Sequence, residues 1–216
     1  MAFIRTVGVE ASLDRLEALI RRRLEPGADQ DAIDQRIWEL FGETRAIVFT
    51  DLSGFSRQVA EFGIIHFLQV IFEAERLLIP LIEDHGGILM KVEGDSMLII
   101  FRSAAQAVRC SIAMQQTTQV YNVDRAATEQ VLLCVGVGYG RVLRIGDSDV
   151  FGAEVNAASK LGEDTARSGE ILVTESVRRE LEKVAVADLQ SLEAIAEIPP
   201  GAEGAHRLVY TPGINP

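Results

Sequence analysis

Two acidic side chains frame the chemistry open to this chain. Asp51 closes the apolar run of "AIVFTDLSGFS" (Ala46 to Ser56), and Asp95 sits in the turn of "GGILMKVEGDSMLIIF" (Gly86 to Phe101). The first segment reads as a strand, the second as a β-hairpin around Glu93-Gly94-Asp95-Ser96. If the strand lies beside the hairpin, both carboxylates project at one sheet edge, where like charges raise one another's pKa unless a cation is shared. A divalent metal meets that requirement, since magnesium is usually held by one or two carboxylates plus substrate phosphates. Such a pair can seat two ions. The small residues of "LSGFS" after Asp51 add a turn that opens a helix, and its backbone N–H groups would form an anion site. Taken singly, an aspartate at a strand end is more often a turn former or a helix cap than a metal ligand.

The elements that must position these groups follow from the hydrophobic periodicity. "SLDRLEALIRRRLE" has helical spacing with Ser12 as a candidate N-cap, "PGADQD" breaks it, and "AIDQRIWELFG" is a second short helix ending at Gly42. Residues 1–44 thus form a helical N-terminal arm, with Trp38 and Phe41 as anchors onto a body spanning 45–212. In the body, "IIHFLQVIFEAERLLIPLIEDHG" is a long helix that Pro80 should kink. "SAAQAVRCSIAMQQTTQVY" is a helix capped by Ser103. "EQVLLCVGVGYGRVLRIG" is strand-rich, and Gly136, Gly138 and Gly140 mark close backbone approach rather than a dinucleotide fingerprint, because no helix follows them at the required place. A helix over "AEVNAASKLGEDTA", a strand over "GEILVT", a helix over "ESVRRELEKV" and a last strand over "GAHRLVY" complete an α+β architecture with an antiparallel sheet.

Composition narrows the function classes. A net charge of −11 argues against a generic nucleic-acid binder, whose partner wants a basic face, and the triplet Arg21–Arg23 reads as a solvated helix face. The charge says little about a small phosphorylated ligand, because a metal and a few cations can act locally. No run approaches the roughly 20 apolar residues of a membrane span, and no signal-peptide pattern is visible. Cys110 and Cys134 lie in apolar runs with no metal-ligand spacing, so reduced thiols and a cytoplasmic location are expected.

Five motifs in order, "FTDLSGFS", "GGILMKVEGDSMLIIF", "VGVGYGRVL", "DVFGAEVNAASKL" and "GEILVT", resemble the class III nucleotidyl cyclase catalytic domain, over about Ala46 to about Glu182. The resemblance implies a ferredoxin-like βαββαβ core working as a head-to-tail homodimer with active sites at the interface. It places the family's metal aspartates, which carry two Mg2+ or Mn2+ ions, on Asp51 and Asp95. The phosphate-binding loop falls on Leu52, Ser53, Gly54, Phe55 and Ser56, and the phosphate-contacting arginine on Arg141. The base-reading pair falls on Lys91 and Asp149, the combination of adenylate-forming members. The transition-state pair falls on Asn156 and on Lys160, where the family has arginine; the i, i+4 spacing keeps both on one helix face. The connection from Arg141 to Asp149 is also shorter than in mammalian members.

The base-reading pair makes chemical sense. Adenine offers an N1 acceptor and an N6 donor, which suit a lysine and a carboxylate; guanine reverses both polarities. The implied activity is an adenylate cyclase that takes ATP to 3′,5′-cyclic AMP and pyrophosphate. The alternatives are a degenerate cyclase-like module that binds nucleotide or regulates a partner, and a cyclase of other base specificity.

Overall fold

The computed structural model describes residues 11–54, 59 and 61–213. The arm consists of α1 (Ala11–Arg23) and α2 (Gln30–Phe41). Ser12 stands inside the first turn of α1 rather than ahead of it, since Ala11, a better helix former, is already helical. Asp29 caps α2 by accepting the Ala32 N–H. Helix α2 then runs into β1 (Gly42–Leu52) without a linker. Gly42 permits this turn because a Cβ there would lie 2.3 Å from the Trp38 carbonyl oxygen.

The body continues with α3 (Ile64–Asp84), the hairpin β2 (Ile88–Glu93) and β3 (Ser96–Phe101), α4 (Ala104–Asn122), β4 (Leu133–Ile145) and β5 (Asp149–Phe151). Then come α5 (Ala153–Ser159), a π-helical turn over Lys160–Thr165, β6 (Ile171–Thr174), α6 (Glu175–Leu181), β7 (Leu189–Ala194) and β8 (Ala205–Tyr210). The strand order is β2-β3-β1-β4-β6-β8-β7, with β5 paired to β4. Strands β1 to β4 with α3 and α4 form the expected antiparallel βαββαβ core. The full sheet is mixed rather than antiparallel, because β6 joins β4 in parallel. The chain between them passes through α5, and a crossover helix returns the next strand in the same direction.

Pleating sends alternate residues of β1 to opposite faces. Ala46 and Val48 meet Phe67, Leu78 and Ile82 of α3, whose buried residues recur at helical spacing. Ile47 points the other way and packs with Ile100, Val142, Val155 and Ala158 under α5. Helix α3 continues through Pro80 to Asp84, at the expense of one intrahelical hydrogen bond. Ser103 caps α4 as expected, accepting the Gln106 N–H. The arm is fastened by Leu19, Ile33, Ile37 and Phe41 against Ile145, at the far end of β4.

The glycines of β4 admit α5 to the sheet. A Cβ at Gly136 would lie 2.1 Å from the Ala158 oxygen, and one at Gly138 would lie 2.4 Å from the Glu154 oxygen. Among the described residues no helix is long and apolar enough to cross a membrane.

Candidate active site

Strand β1 pairs with β3 so that Thr50 opposes Met97, which brings Asp51 to the hairpin tip. There the Ser96 hydroxyl donates to Asp51 Oδ1 at 3.2 Å. Gly94, at φ +63, makes the tight turn that lifts Asp95 toward the same point. Burial, and then the charge of Asp95, push the Asp51 carboxyl up to about 6. Burial also raises Asp95, against hydrogen bonds from backbone N–H groups and from Asp51. The Leu52 N–H serves both carboxylates, and Glu163 of the π-helical turn adds negative charge to each. The charged neighbours that weigh most on Asp51, Asp95 and Glu163, are both acidic.

That electrostatic state suits a divalent metal. Two carboxylates converge, burial and mutual repulsion oppose their joint ionisation, and no cation of the described residues relieves them. Among those residues no group of three or more His, Cys, Asp or Glu side chains could hold an ion. Two carboxylates with the remaining positions left to substrate oxygens and water is the arrangement magnesium accepts. Asp51 and Asp95 therefore fit the group.

The loop after Asp51 is described only in part. Leu52, Ser53 and Gly54 lie within it, Gly54 at φ +90, whereas Phe55 and Ser56 fall outside the described residues. The Ser53 N–H is already bonded to the Leu132 carbonyl at 2.8 Å, so it is not free for a phosphate.

The two base-reading candidates meet. Lys91 Nζ donates to Asp149 Oδ2 at 3.1 Å, joining β2 to β5 across 58 residues of sequence. A second carboxylate, Glu93, stands 3.1 Å from the same ammonium. Burial pulls the Lys91 ammonium down, but the bonds from Asp149 and Glu93 outweigh it and hold the group above its ordinary value.

Asn156 on α5 and Lys160, which opens the π-helical turn, are both exposed. Lys160 forms an ion pair with Asp164, which raises its pKa. Arg141 stands apart from the carboxylate pair. It opposes Thr44, whereas Asp51 opposes Cys134, seven residues away on β4 and so about 23 Å along the strand. Its guanidinium stacks on the Trp38 ring, 4.4 Å from the centroid.

Sequence reasoning missed three residues that shape the site. Glu93 joins Lys91. Glu163 adds charge near Asp51 and Asp95. Glu154 accepts the Tyr139 N–H and the Thr174 and Ser176 hydroxyls, tying α5 to the sheet. Only Glu93 carried a visible signal, since residues two apart on a strand share a face.

Known proteins share this sequence pattern and this fold. Residues 42–198 match the family described as the adenylate and guanylate cyclase catalytic domain. A putative adenylate cyclase 3 of Rhizobium meliloti is 32% identical over 132 residues, which cover 61% of this chain and 22% of that protein. An adenylate cyclase of Streptomyces coelicolor is 30% identical over 148 residues, 68% of this chain and 35% of that protein. The chain thus spans well under half the length of either relative. The crystal structure of an adenylate/guanylate cyclase/hydrolase from Silicibacter pomeroyi, 26% identical, superposes with a TM-score of 0.65 over 79% of this chain and 98% of that one. By fold and by sequence, the chain belongs to the adenylate and guanylate cyclase catalytic-domain family, the class III nucleotidyl cyclases.

Proposed function

We propose that the chain is an adenylate cyclase that converts ATP to 3′,5′-cyclic AMP and pyrophosphate, working as a homodimer with its sites at the interface. The observation that carries the base assignment is the 3.1 Å contact between Lys91 and Asp149. A lysine donor beside a carboxylate acceptor complements adenine N1 and N6 and opposes guanine at both positions. Exposed Ile88, on the same face of β2 as Lys91, and Phe151, two residues from Asp149 on β5, offer a second copy apolar surface to cover.

In this reading the ribose 3′-hydroxyl attacks the α-phosphorus in line and pyrophosphate departs. Magnesium or manganese ions, bound through Asp51 and Asp95, would lower the pKa of that hydroxyl and offset triphosphate charge. The side chains hold and orient the substrate. Asp149 accepts from N6 and Lys91 donates to N1. Asn156 orients the ribose, and Lys160 offsets charge developing on the α-phosphate. Arg141 of one subunit and the Leu52–Ser56 loop of the other hold the outer phosphates. Residues 1–44 act as an arm on the 45–212 catalytic body.

Incubation of the purified chain with manganese and equimolar ATP, GTP, CTP and UTP tests this. Cyclic AMP should dominate, and Asp51→Ala or Asp95→Ala should abolish it. Absence of any cyclic nucleotide from the unmodified chain would favour a regulatory module instead.

A further inference from the structure

Lys91 is held by two carboxylates, and only one of them is accounted for by the adenine reading. On β2, Lys91 and Glu93 are two residues apart and so share a face, with Lys91 opposite Leu98 and Glu93 opposite Ser96. The ammonium lies 3.1 Å from Glu93 Oε1 and 3.1 Å from Asp149 Oδ2, and so stands between them. An ammonium has three N–H groups. Two are engaged here, which leaves one for a ligand. Each carboxylate keeps acceptor capacity beyond its bond to Lys91, although Asp149 Oδ1 also accepts its neighbour's N–H from Val150 at 2.9 Å.

Resting on the adenylate reading above, we infer that Glu93 is a third specificity-determining residue, completing an acceptor–donor–acceptor set against the Watson–Crick edge of the base. Adenine presents a donor at N6, an acceptor at N1 and a carbon-bound hydrogen at C2. It satisfies Asp149 and Lys91 and leaves Glu93 facing an innocuous C–H. Cytosine is the competitor that Asp149 and Lys91 cannot reject by themselves, because its N4 amino group and N3 repeat the same donor–acceptor order. Its O2, however, would face the Glu93 carboxylate, acceptor against acceptor. Guanine fails earlier, since its N1–H meets the lysine. Glu93 therefore separates adenine from cytosine, a discrimination achieved by opposing a group on the wrong ligand.

The set predicts a better ligand than ATP. The triphosphate of 2,6-diaminopurine riboside carries a second amino group at C2, placed to donate to Glu93. One added hydrogen bond to a side chain that remains 71% exposed in the free protein should give roughly a three- to tenfold gain in competition against ATP.

The test uses the full chain with manganese and compares ATP, CTP and diaminopurine triphosphate by displacement of a fluorescent N-methylanthraniloyl ATP and by cyclic product ratio. The unmodified chain should favour diaminopurine over ATP. Glu93→Ala should erase that gain while retaining ATP over GTP, and Glu93→Gln, whose amide can donate to O2, should raise CTP relative to ATP by a similar factor. A diaminopurine gain that survives in Glu93→Ala, or a CTP ratio unmoved in Glu93→Gln, overturns the assignment. Lys91→Glu separates the two levels. If it shifts base preference and the Glu93 variants do not, Glu93 alone is misassigned. If neither moves anything, or if no nucleotide displaces the probe, the base-site reading falls and Glu93 with it.

Discussion

The Trp38 indole lies beneath the Arg141 guanidinium, 4.4 Å from ring centroid to cation, and so forms a strut between the helical arm and β4. Neither residue's neighbours in sequence announce the contact, because one stands on α2 and the other on the central sheet. Arg141 remains exposed in this stack, so an anion can reach it.

Trp38 is the only tryptophan of the chain, so its fluorescence reports on Arg141 directly. Inorganic triphosphate with magnesium should change the emission of the unmodified protein and leave that of Arg141→Ala unchanged. Trp38→Ala should weaken triphosphate binding about two- to fivefold, the worth of an exposed cation–π contact, without altering base preference. Emission indifferent to triphosphate would remove Arg141 from the phosphate site.

A second prediction concerns the carboxylate pair. Asp51 titrates at about 6 in the folded protein against an ordinary 3.8, so the folded state binds its proton more tightly than the unfolded chain does. Between those values the stability of the metal-free protein falls as pH rises, and the full penalty is present above 6. Asp51→Asn should therefore raise the melting temperature of metal-free protein at about pH 7.5, with the difference vanishing toward about pH 4. Manganese should stabilise the unmodified protein at about pH 7.5, less at about pH 5, and Asp51→Asn at neither. A metal-free variant that melts below the parent at about pH 7.5 would contradict the sign.

Much of this was legible in the sequence because the deciding features are local. The hairpin follows from apolar runs around Glu93-Gly94-Asp95-Ser96, the cap from Ser103, and the arm's attachment from Phe41. Asp51 and Asp95 were readable because each ends or turns a strand. The strand β7 was missed because it is largely exposed and lacks clean alternation. The strand β5 was missed because three residues carry no period. The parallel placement of β6 depends on where a crossover returns, and Glu154 works through partners 15 to 22 residues away. The position of Arg141 was the least legible. Its motif fixes an identity, but the register that sets it seven residues from Asp51's partner exists only once β1 and β4 are paired.

The glycine contacts under α5 give a third prediction. Gly136→Ala would drive a methyl group into the Ala158 carbonyl oxygen and the Gly162 nitrogen, both of them backbone. Neither can swing aside, so α5 and the π-helical turn must lift from the sheet, at about 2–3 kcal/mol in urea unfolding. Gly27→Ala, at φ +79 but in open space, should cost only the backbone strain of about 1 kcal/mol. Similar losses for the two would show that close packing at Gly136 is not what the site depends on. Because α5 carries Asn156, the first variant should lose turnover beyond its loss of stability.

The resemblance places Lys160 at the family's arginine position, and the surroundings of its ammonium indicate what such an exchange would do. Its ion pair with Asp164 joins side chains 55% and 56% exposed, and such pairs contribute only about 0–1 kcal/mol. An arriving triphosphate can thus draw the ammonium away at little expense, and Asp164→Ala should lower KM for ATP by no more than about fivefold with kcat unchanged. A lysine supplies charge without the planar fork that engages two phosphate oxygens together. Lys160→Arg should therefore raise kcat several-fold while KM changes little, because the second contact matters most as charge develops on the α-phosphate. Lys160→Ala should lower kcat by about 10²–10³, the usual consequence of deleting a group that stabilises transition-state charge. Steady-state kinetics of the three variants decide the matter. If Lys160→Ala keeps its full kcat, the ammonium does not reach the reacting phosphate.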